Sequence, residues 1–444
     1  MMSHTCPALL ISAPASGQGK TTVTAAMARY YRNRGLKVHC FKSGPDFIDP
    51  MILEQASGEP VYQLDNWMVG EESSQQLLFN AAKEADLILI EGVMGLFDGT
   101  PSSADLAERF TLPIAIVINA KAMAQTFGAV AHGLANYRPT LSVIGVIANT
   151  VGSSNHLDML LEGLGDIEGE HVKLIASLFR DDEVALPSRH LGLIQAEEIS
   201  DLDSRLEQAA EMIGESLQDW LPPSVEFSAP EKAAIKSTLQ GITIGVAHDR
   251  AFSFVYRANI DLLKSLGAVI HEFSPLKDRT LPKVDALYLP GGYPELYLEQ
   301  LSQNSTMLNA IRSHFQSNKI IVAECGGMLY LLESLTDKAG KRVNLCGILP
   351  GDGIMQERLA GLGLHTAPLP EGDLRSHAFH HSQIKMRLEP LAESKNRRAK
   401  GRGETIYRHR GITASYLHLY FPSNPMAAAQ LFAPSHLSST SSTK

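Results

Sequence analysis

Cysteine is scarce: the 444 residues include only four, at positions 6, 40, 325 and 346. Their spacing fits neither a disulfide framework nor a zinc ribbon, so reduced thiols in a cytoplasmic protein are expected. Long apolar runs are also missing. The longest, Leu87–Ile90 and Ile114–Ile118, are strand-sized, whereas a membrane helix needs ~20 apolar residues. The first apolar stretch, Ala8–Ile11, is too short for a signal segment and has no Lys or Arg before it. No basic block stands out either. Lys and Arg total 39 against 48 Asp and Glu, a net charge of −9, which argues against nucleic acid or an anionic membrane as partner. What is present is ordinary globular material, 44% apolar and 20% charged. At ~150 residues per domain, the length predicts two or three domains.

Short Val/Ile/Leu runs alternate with amphipathic stretches. Ala8–Ser12, Lys37–Phe41, Asp86–Ile90, Ile114–Asn119, Ser142–Asn149 and Lys173–Ser177 read as buried strands. Thr21–Arg34, Glu72–Ala82, Met123–Tyr137 and His156–Leu164 read as the helices between them, and Glu197–Leu217 as a closing helix. Continuous apolar strands separated by helices predict an α/β fold, a parallel sheet covered on both faces. A proline-punctuated stretch then marks a linker. The predicted units are 1–220, a linker over 221–240, a second α/β unit over 241–434 and a disordered Ser/Thr-rich tail over 435–444. In the second unit Ile242–Ala247, Val269–Phe273, Ala286–Leu289 and Ile320–Ala323 read as strands. Phe254–Leu266 and Met307–Gln316 read as helices, and Ser382–Leu388 and Ile412–Leu417 as later strands.

Pro14–Thr22 (PASGQGKTT) follows a strand and opens a helix. That is the context of a phosphate loop, although Pro14 stands where the usual first glycine would be. Gly17, Gly19, Lys20, Thr21 and Thr22 are the nucleotide-binding candidates. Lys20 would reach the terminal phosphates and Thr21 would ligate Mg²⁺. Two carboxylate-bearing segments follow later strands: Lys42–Pro50 (KSGPDFIDP) and Glu91–Gly99 (EGVMGLFDG). Ligands of open α/β sheets sit at the carboxyl ends of strands. Asp46, Asp49, Glu91 and Asp98 can therefore converge beside the loop, where hard oxygens suit Mg²⁺. Aspartates beside Gly and Pro also simply make turns.

Ile320–Met328 reads as strand, tight turn and helix, with Cys325 at the elbow. Such a turn lifts a nucleophile clear of the sheet. A thiol needs a general base, and His418 ends a candidate strand. Gly291 and Gly292, a glycine pair after another strand, are candidate oxyanion donors. Together these groups outline a glutamine-hydrolysing site.

Seven blocks in order resemble the cobyrinate / hydrogenobyrinate a,c-diamide synthases: PASGQGKTT, KSGPDFIDP, EGVMGLFDG, DRAFSFVY (Asp249–Tyr256), LPGGYPE (Leu289–Glu295), AECGG (Ala323–Gly327) and ASYLHLYF (Ala414–Phe421). The resemblance covers about Ala8 to Phe432. It implies a dethiobiotin-synthetase-like P-loop domain followed by a class I glutamine amidotransferase domain of flavodoxin-like build. It implies ATP, Mg²⁺ and glutamine, and amidation of the a and c acetates of a corrin through acyl phosphates. Cys325 would be the nucleophile and His418 its base. Metal, nucleotide or substrate positioning falls to Asp46, Asp49, Glu91 and Asp98, and an adenine contact to Asn149. Many class I amidotransferases carry Glu two residues after the His; here Tyr420 holds that place, as expected for a Cys–His dyad. What orients His418 stays open. Arg250, Phe252, Tyr256, His377 and His380 are candidates for positioning a carboxylate-rich corrinoid. A homodimer is allowed, and a protected path for ammonia is expected.

Two other readings stand beside this one. The first is another glutamine-dependent tetrapyrrole amidase. The second is a P-loop regulatory ATPase with an inactive amidotransferase module. ParA- and MinD-like ATPases carry an extra lysine where this chain has Ala15, which argues against the second.

Overall fold

A computed structural model describes residues 2–165, 172–189, 192–231, 237–398 and 401–433. The tail over 435–444 lies outside them. The chain divides into two compact units, Met1–Glu231 and Lys232–Lys444.

The first unit is a parallel sheet. Its strands are β1 (Ser3–Ser12), β2 (Val38–Ser43), β3 (Tyr62–Leu64), β4 (Leu87–Glu91), β5 (Ile114–Asn119), β6 (Val143–Val151) and β7 (Lys173–Phe179), ordered β3-β2-β4-β1-β5-β6-β7. Side chains alternate across it. Leu10, Ile88, Ile90 and Ile116 enter one core, while Leu9, Ile11, Leu87 and Leu89 enter the other. Both faces are covered, which is why the strands read as unbroken apolar runs. The covering helices are α1 (Lys20–Asn33), α2 (Ile48–Ser57), α3 (Glu71–Ala82), α4 (Ser103–Phe110), α5 (Thr126–Asn136), α6 (Ser154–Leu164) and α7 (Leu202–Leu217).

Several short elements lie outside those expected from sequence, among them β3, α4 and the two described next. The stretch expected as a linker contains strand Ser224–Ser228, which pairs antiparallel with the first half of β1. Its alternating pattern is only five residues long and sits among prolines, so a short edge strand was hidden. Helix α2 is not among the expected helices, since Gly44 and Pro45 precede it and Pro50 lies within it. Pro50 falls in its first turn, where a missing N–H costs nothing.

The second unit also has a parallel sheet, ordered Val269–Phe273, Thr243–Ala247, Ala286–Leu289, Ile320–Glu324 and Ile412–Ser415. This is the flavodoxin-like order. Antiparallel strands Thr405–His409 and Pro390–Glu393 extend one edge. After Cys325 the chain builds more strand than its sequence signals. Leu332–Thr336, Arg342–Asn344, Leu349–Met355 and Ser382–Met386 form one small sheet. Lys395–Asn396, Gly361–Leu369, Gly372–His380 and His418–Tyr420 form another. Glycines at 351, 353, 361 and 363 interrupt the apolar alternation that would announce them.

Helices α5 and α6 cross closely. A Cβ on Gly128 would sit 1.8 Å from the Gly163 carbonyl oxygen. Helix propensity alone favours Ala over Gly by ~1 kcal/mol, but the clash is with backbone and costs ~1–3 kcal/mol. Gly128→Ala is therefore expected to lower the urea midpoint; an unchanged or raised midpoint would contradict this packing.

Candidate active sites

The phosphate loop connects β1 to α1. Gly17 and Gly19 adopt φ of 76° and 87°, a left-handed backbone that glycine reaches without strain. No side chain caps the start of α1, so its free N–H groups face the loop, as a phosphate requires. Asn149, near the end of β6, braces the loop: its Nδ2 donates to the Gln18 carbonyl at 3.0 Å. A Cβ at Gly19 would lie 2.1 Å from that same Nδ2. Thr22 is half-buried in the first turn of α1.

Lys20 is buried, and its Nζ donates to the carbonyls of Met94 at 2.6 Å and Ala15 at 3.3 Å. Burial and the nearby Lys42 ammonium lower its pKa. Thr21 Oγ1 donates to Glu91 Oε1 at 2.8 Å. The sequence reading had no role for Lys42, yet it organises the carboxylates. From the end of β2 its Nζ meets Asp49 Oδ2 at 2.6 Å and Glu91 Oε1 at 2.9 Å. A lysine closing a buried strand and followed by two aspartates was the available signal.

Four carboxylates do gather near the loop, but in two kinds. Asp49 and Glu91 face Lys42. Burial pushes Asp49 up, and the Lys42 ammonium outweighs it and holds the carboxyl below its usual range. Burial dominates for Glu91 and raises it to about 7. Asp46 and Asp98 instead shape backbone. Asp46 Oδ1 accepts from the N–H groups of Ile48 and Asp49 at the start of α2. Asp98 Oδ2 accepts from Gly95 N–H at 2.9 Å. Here the turn-making use of Asp is the visible one.

Among the described residues, no group of three or more His, Cys, Asp or Glu side chains forms a metal cage. The set is Thr21, Asp49 and Glu91, and Glu91 Oε2 is buried with no hydrogen-bond partner. One or two carboxylates and a hydroxyl beside a phosphate loop fit Mg²⁺, which takes the rest of its shell from phosphates and water.

The second unit builds a different site. Strand Ile320–Glu324 ends at Cys325, whose φ is 43° and ψ −107°. Cys325 is not glycine, so the elbow stores strain of ~1–3 kcal/mol. Its N–H donates to the Ser415 carbonyl at 2.8 Å. Burial pushes the thiol well above its ordinary value, with Glu295 adding to the effect. His418 is also buried, and burial, then His377 and His380, lowers it to about 3. The resting pair is therefore a neutral thiol and a neutral imidazole able to accept a proton.

The glycine pair packs against the His418 ring on one side and the start of the helix after Cys325 on the other. A Cβ on Gly291 would lie 2.2 Å from His418 Cε1. A Cβ on Gly326 would lie 3.0 Å from Gly292 N. Gly291, Gly292, Cys325 and His418 thus share one end of the sheet.

The remaining candidates are scattered. Arg250 is exposed. Phe252 is fully buried against Tyr330, with ring centroids 5.2 Å apart. Tyr256 is buried edge-on to Tyr420 at 5.6 Å. Neither ring offers a face to a substrate here, because aromatic blocks near a sheet end serve packing as readily as binding. His377 lies opposite His418 on the neighbouring strand, and burial lowers it to about 3. His380 is engaged three ways. Its ring stacks 3.6 Å over Tyr416, its Nδ1 meets the Ser382 carbonyl, and its Nε2 lies 3.2 Å from Glu404 Oε1.

Comparison with known proteins matches both halves. Residues 9–194 match the CobQ/CobB/MinD/ParA nucleotide binding domain, and residues 243–426 match the CobB/CobQ-like glutamine amidotransferase domain. A hydrogenobyrinate a,c-diamide synthase of Stutzerimonas stutzeri is 56% identical, across 98% of this chain and 100% of the relative. One of Pseudomonas aeruginosa is 55% identical, across 98% and 99%. A cobyrinate a,c-diamide synthase of Herminiimonas arsenicoxydans is 46% identical, across 96% of each. No described helix is long and apolar enough to cross a membrane.

Removing the Lys42 ammonium strands two buried carboxyls, and breaking such a pair costs ~3–5 kcal/mol. Lys42→Met is expected to lose about 3 kcal/mol by urea unfolding, because Glu91 can take up a proton in compensation. A loss under ~1 kcal/mol would mean that the charge cluster is not what holds these loops.

Proposed function

The chain belongs to the hydrogenobyrinate and cobyrinate a,c-diamide synthase family, and from that premise we propose which ring it amidates and which residues do the work. It is a glutamine-hydrolysing, amide-forming ligase of cobalamin synthesis, with a nucleotide-binding domain and a glutamine amidotransferase domain. The preferred substrate is the metal-free ring, hydrogenobyrinate. The two relatives at 56% and 55% identity carry that name, and the 46% relative carries the cobalt one.

A carboxylate has a poor leaving group. In the reading we favour, its oxygen attacks the γ-phosphorus of ATP, giving an acyl phosphate and ADP. Ammonia then attacks the acyl carbon and phosphate leaves. Lys20 and the N–H groups at the start of α1 hold the phosphoryl oxygens, and Asn149 keeps the loop in shape. Thr21, Asp49 and Glu91 would hold Mg²⁺, which when bound offsets phosphate charge. Lys42 keeps the two carboxylates facing the loop, and Asp46 and Asp98 fix the turns that carry them.

Ammonia comes from glutamine. Cys325 Sγ attacks the side-chain amide carbon, and His418 takes the thiol proton and passes it to the departing nitrogen. Water then cleaves the thioester to glutamate. In the resting site His418 is the neutral imidazole, the form that accepts a proton, while burial opposes the charged pair until glutamine is bound. The amide oxygen would be held by N–H groups of the Gly291–Gly292 segment. The protein is placed in the cytoplasm in this account.

The observation that carries the assignment is the elbow: a cysteine at a strand end held at a positive φ of 43°, at the same sheet end where Gly291 packs against the His418 ring. Cys325→Ser is expected to abolish glutamine-dependent amidation while leaving amidation with added ammonium salt within ~2-fold of wild type. Loss of both activities, or retention of glutamine use, would contradict the division of labour.

A further inference from the structure

We infer that Glu324, the residue immediately before Cys325, is the positioning residue for His418 and acts through the Leu419 peptide. This rests on the reading of Cys325 and His418 as nucleophile and base. The carboxylate that many class I amidotransferases carry two residues after the histidine is absent here. Tyr420 stands in that place, and its ring is packed in the core against Tyr256. Something else must fix where the imidazole sits.

Strand His418–Tyr420 pairs on one edge with Arg375–His377. In an extended strand, alternate residues turn their backbone groups to opposite edges. On the other edge, side chains replace a partner strand. Leu419 N–H donates to Glu324 Oε1 at 3.1 Å. Leu419 C=O accepts from Asn259 Nδ2 at 2.7 Å, and Phe421 N–H donates to Asn259 Oδ1 at 2.8 Å. The second Glu324 oxygen accepts from Tyr288 O–H at 2.9 Å.

Glu324 is 1% exposed. A buried carboxyl is costly unless its hydrogen bonds are made, and burial raises this one to about 8. Asn259 already holds the strand by two hydrogen bonds, so a further grip by a costly group points to precision rather than to strand retention. The position of Glu324 explains what is gained. Its backbone leads directly into the Cys325 elbow, while its side chain holds the residue next to His418. One residue therefore sets the register of both reacting groups. Tyr288, on the neighbouring parallel strand, fixes the carboxyl in turn.

The test is steady-state glutaminase kinetics on the full chain. Glu324→Ala should lower kcat ~10–100-fold with the glutamine KM within ~3-fold. Glu324→Gln should recover to within ~5-fold of wild type, since its amide oxygen still accepts from Leu419 N–H and its NH₂ still reaches the Tyr288 oxygen. Ammonia-dependent amidation should be unchanged in both. If Glu324→Ala does not fold, Glu324→Asp decides: one methylene shorter, it should lose kcat while Glu324→Gln keeps it. Near-normal kcat in Glu324→Ala (or in Glu324→Asp where that variant decides), or equal loss in the Ala and Gln variants, would overturn the inference. So would an effect confined to KM. If the wild type hydrolyses no glutamine, or Cys325→Ser still does, the dyad itself fails and takes this inference with it.

Discussion

A parallel strand must be followed by a crossover, so its carboxyl end always opens into a loop or a helix start. Both units of this chain place their chemistry at that edge. In the first, the phosphate loop follows β1, Lys42 is the penultimate residue of β2 and Glu91 closes β4. In the second, Gly291 follows Ala286–Leu289, Cys325 follows Ile320–Glu324 and His418 comes shortly after Ile412–Ser415. The hydrophobic sheet behind is rigid and covered, so groups at its rim are held to fixed spacings. The rest of each site follows from what those positions demand of nearby side chains.

The two sites solve opposite electrostatic problems. The nucleotide site keeps charge: a buried ammonium lies between two carboxyls, an arrangement suited to a ligand that brings four negative charges and a cation. The site in the second unit suppresses charge. Burial raises the Cys325 thiol and lowers the His418 imidazolium, so both rest neutral. The strained elbow and the close fit of Gly291 against the imidazole keep that neutral pair in place.

Much of this was legible in the residues. Each of the six strands read in the first half is present, with ends displaced by up to five residues, because buried parallel strands are continuous Val/Ile/Leu runs. Lys20, Cys325 and His418 can be singled out from sequence because each sits in a motif whose geometry is local: loop before helix, elbow after strand, strand end. Lys42 and Glu324 do not stand out in the sequence because the groups they bind lie 49 and 95 positions away, which no local pattern reports. Phe252 and Tyr256 were marked for the substrate on resemblance alone, and they lie in the core. The small sheets after Cys325 were hidden by glycines that break the period-two pattern.

The central claim is that one protein makes two amides on a corrin ring with ATP and glutamine. It is tested most directly by mass spectrometry of reactions containing purified protein, Mg²⁺, ATP and glutamine, with hydrogenobyrinic acid and cobyrinic acid offered separately. The account predicts two successive acid-to-amide conversions, faster on the metal-free ring. Glutamine hydrolysis without amidation of either ring would contradict it.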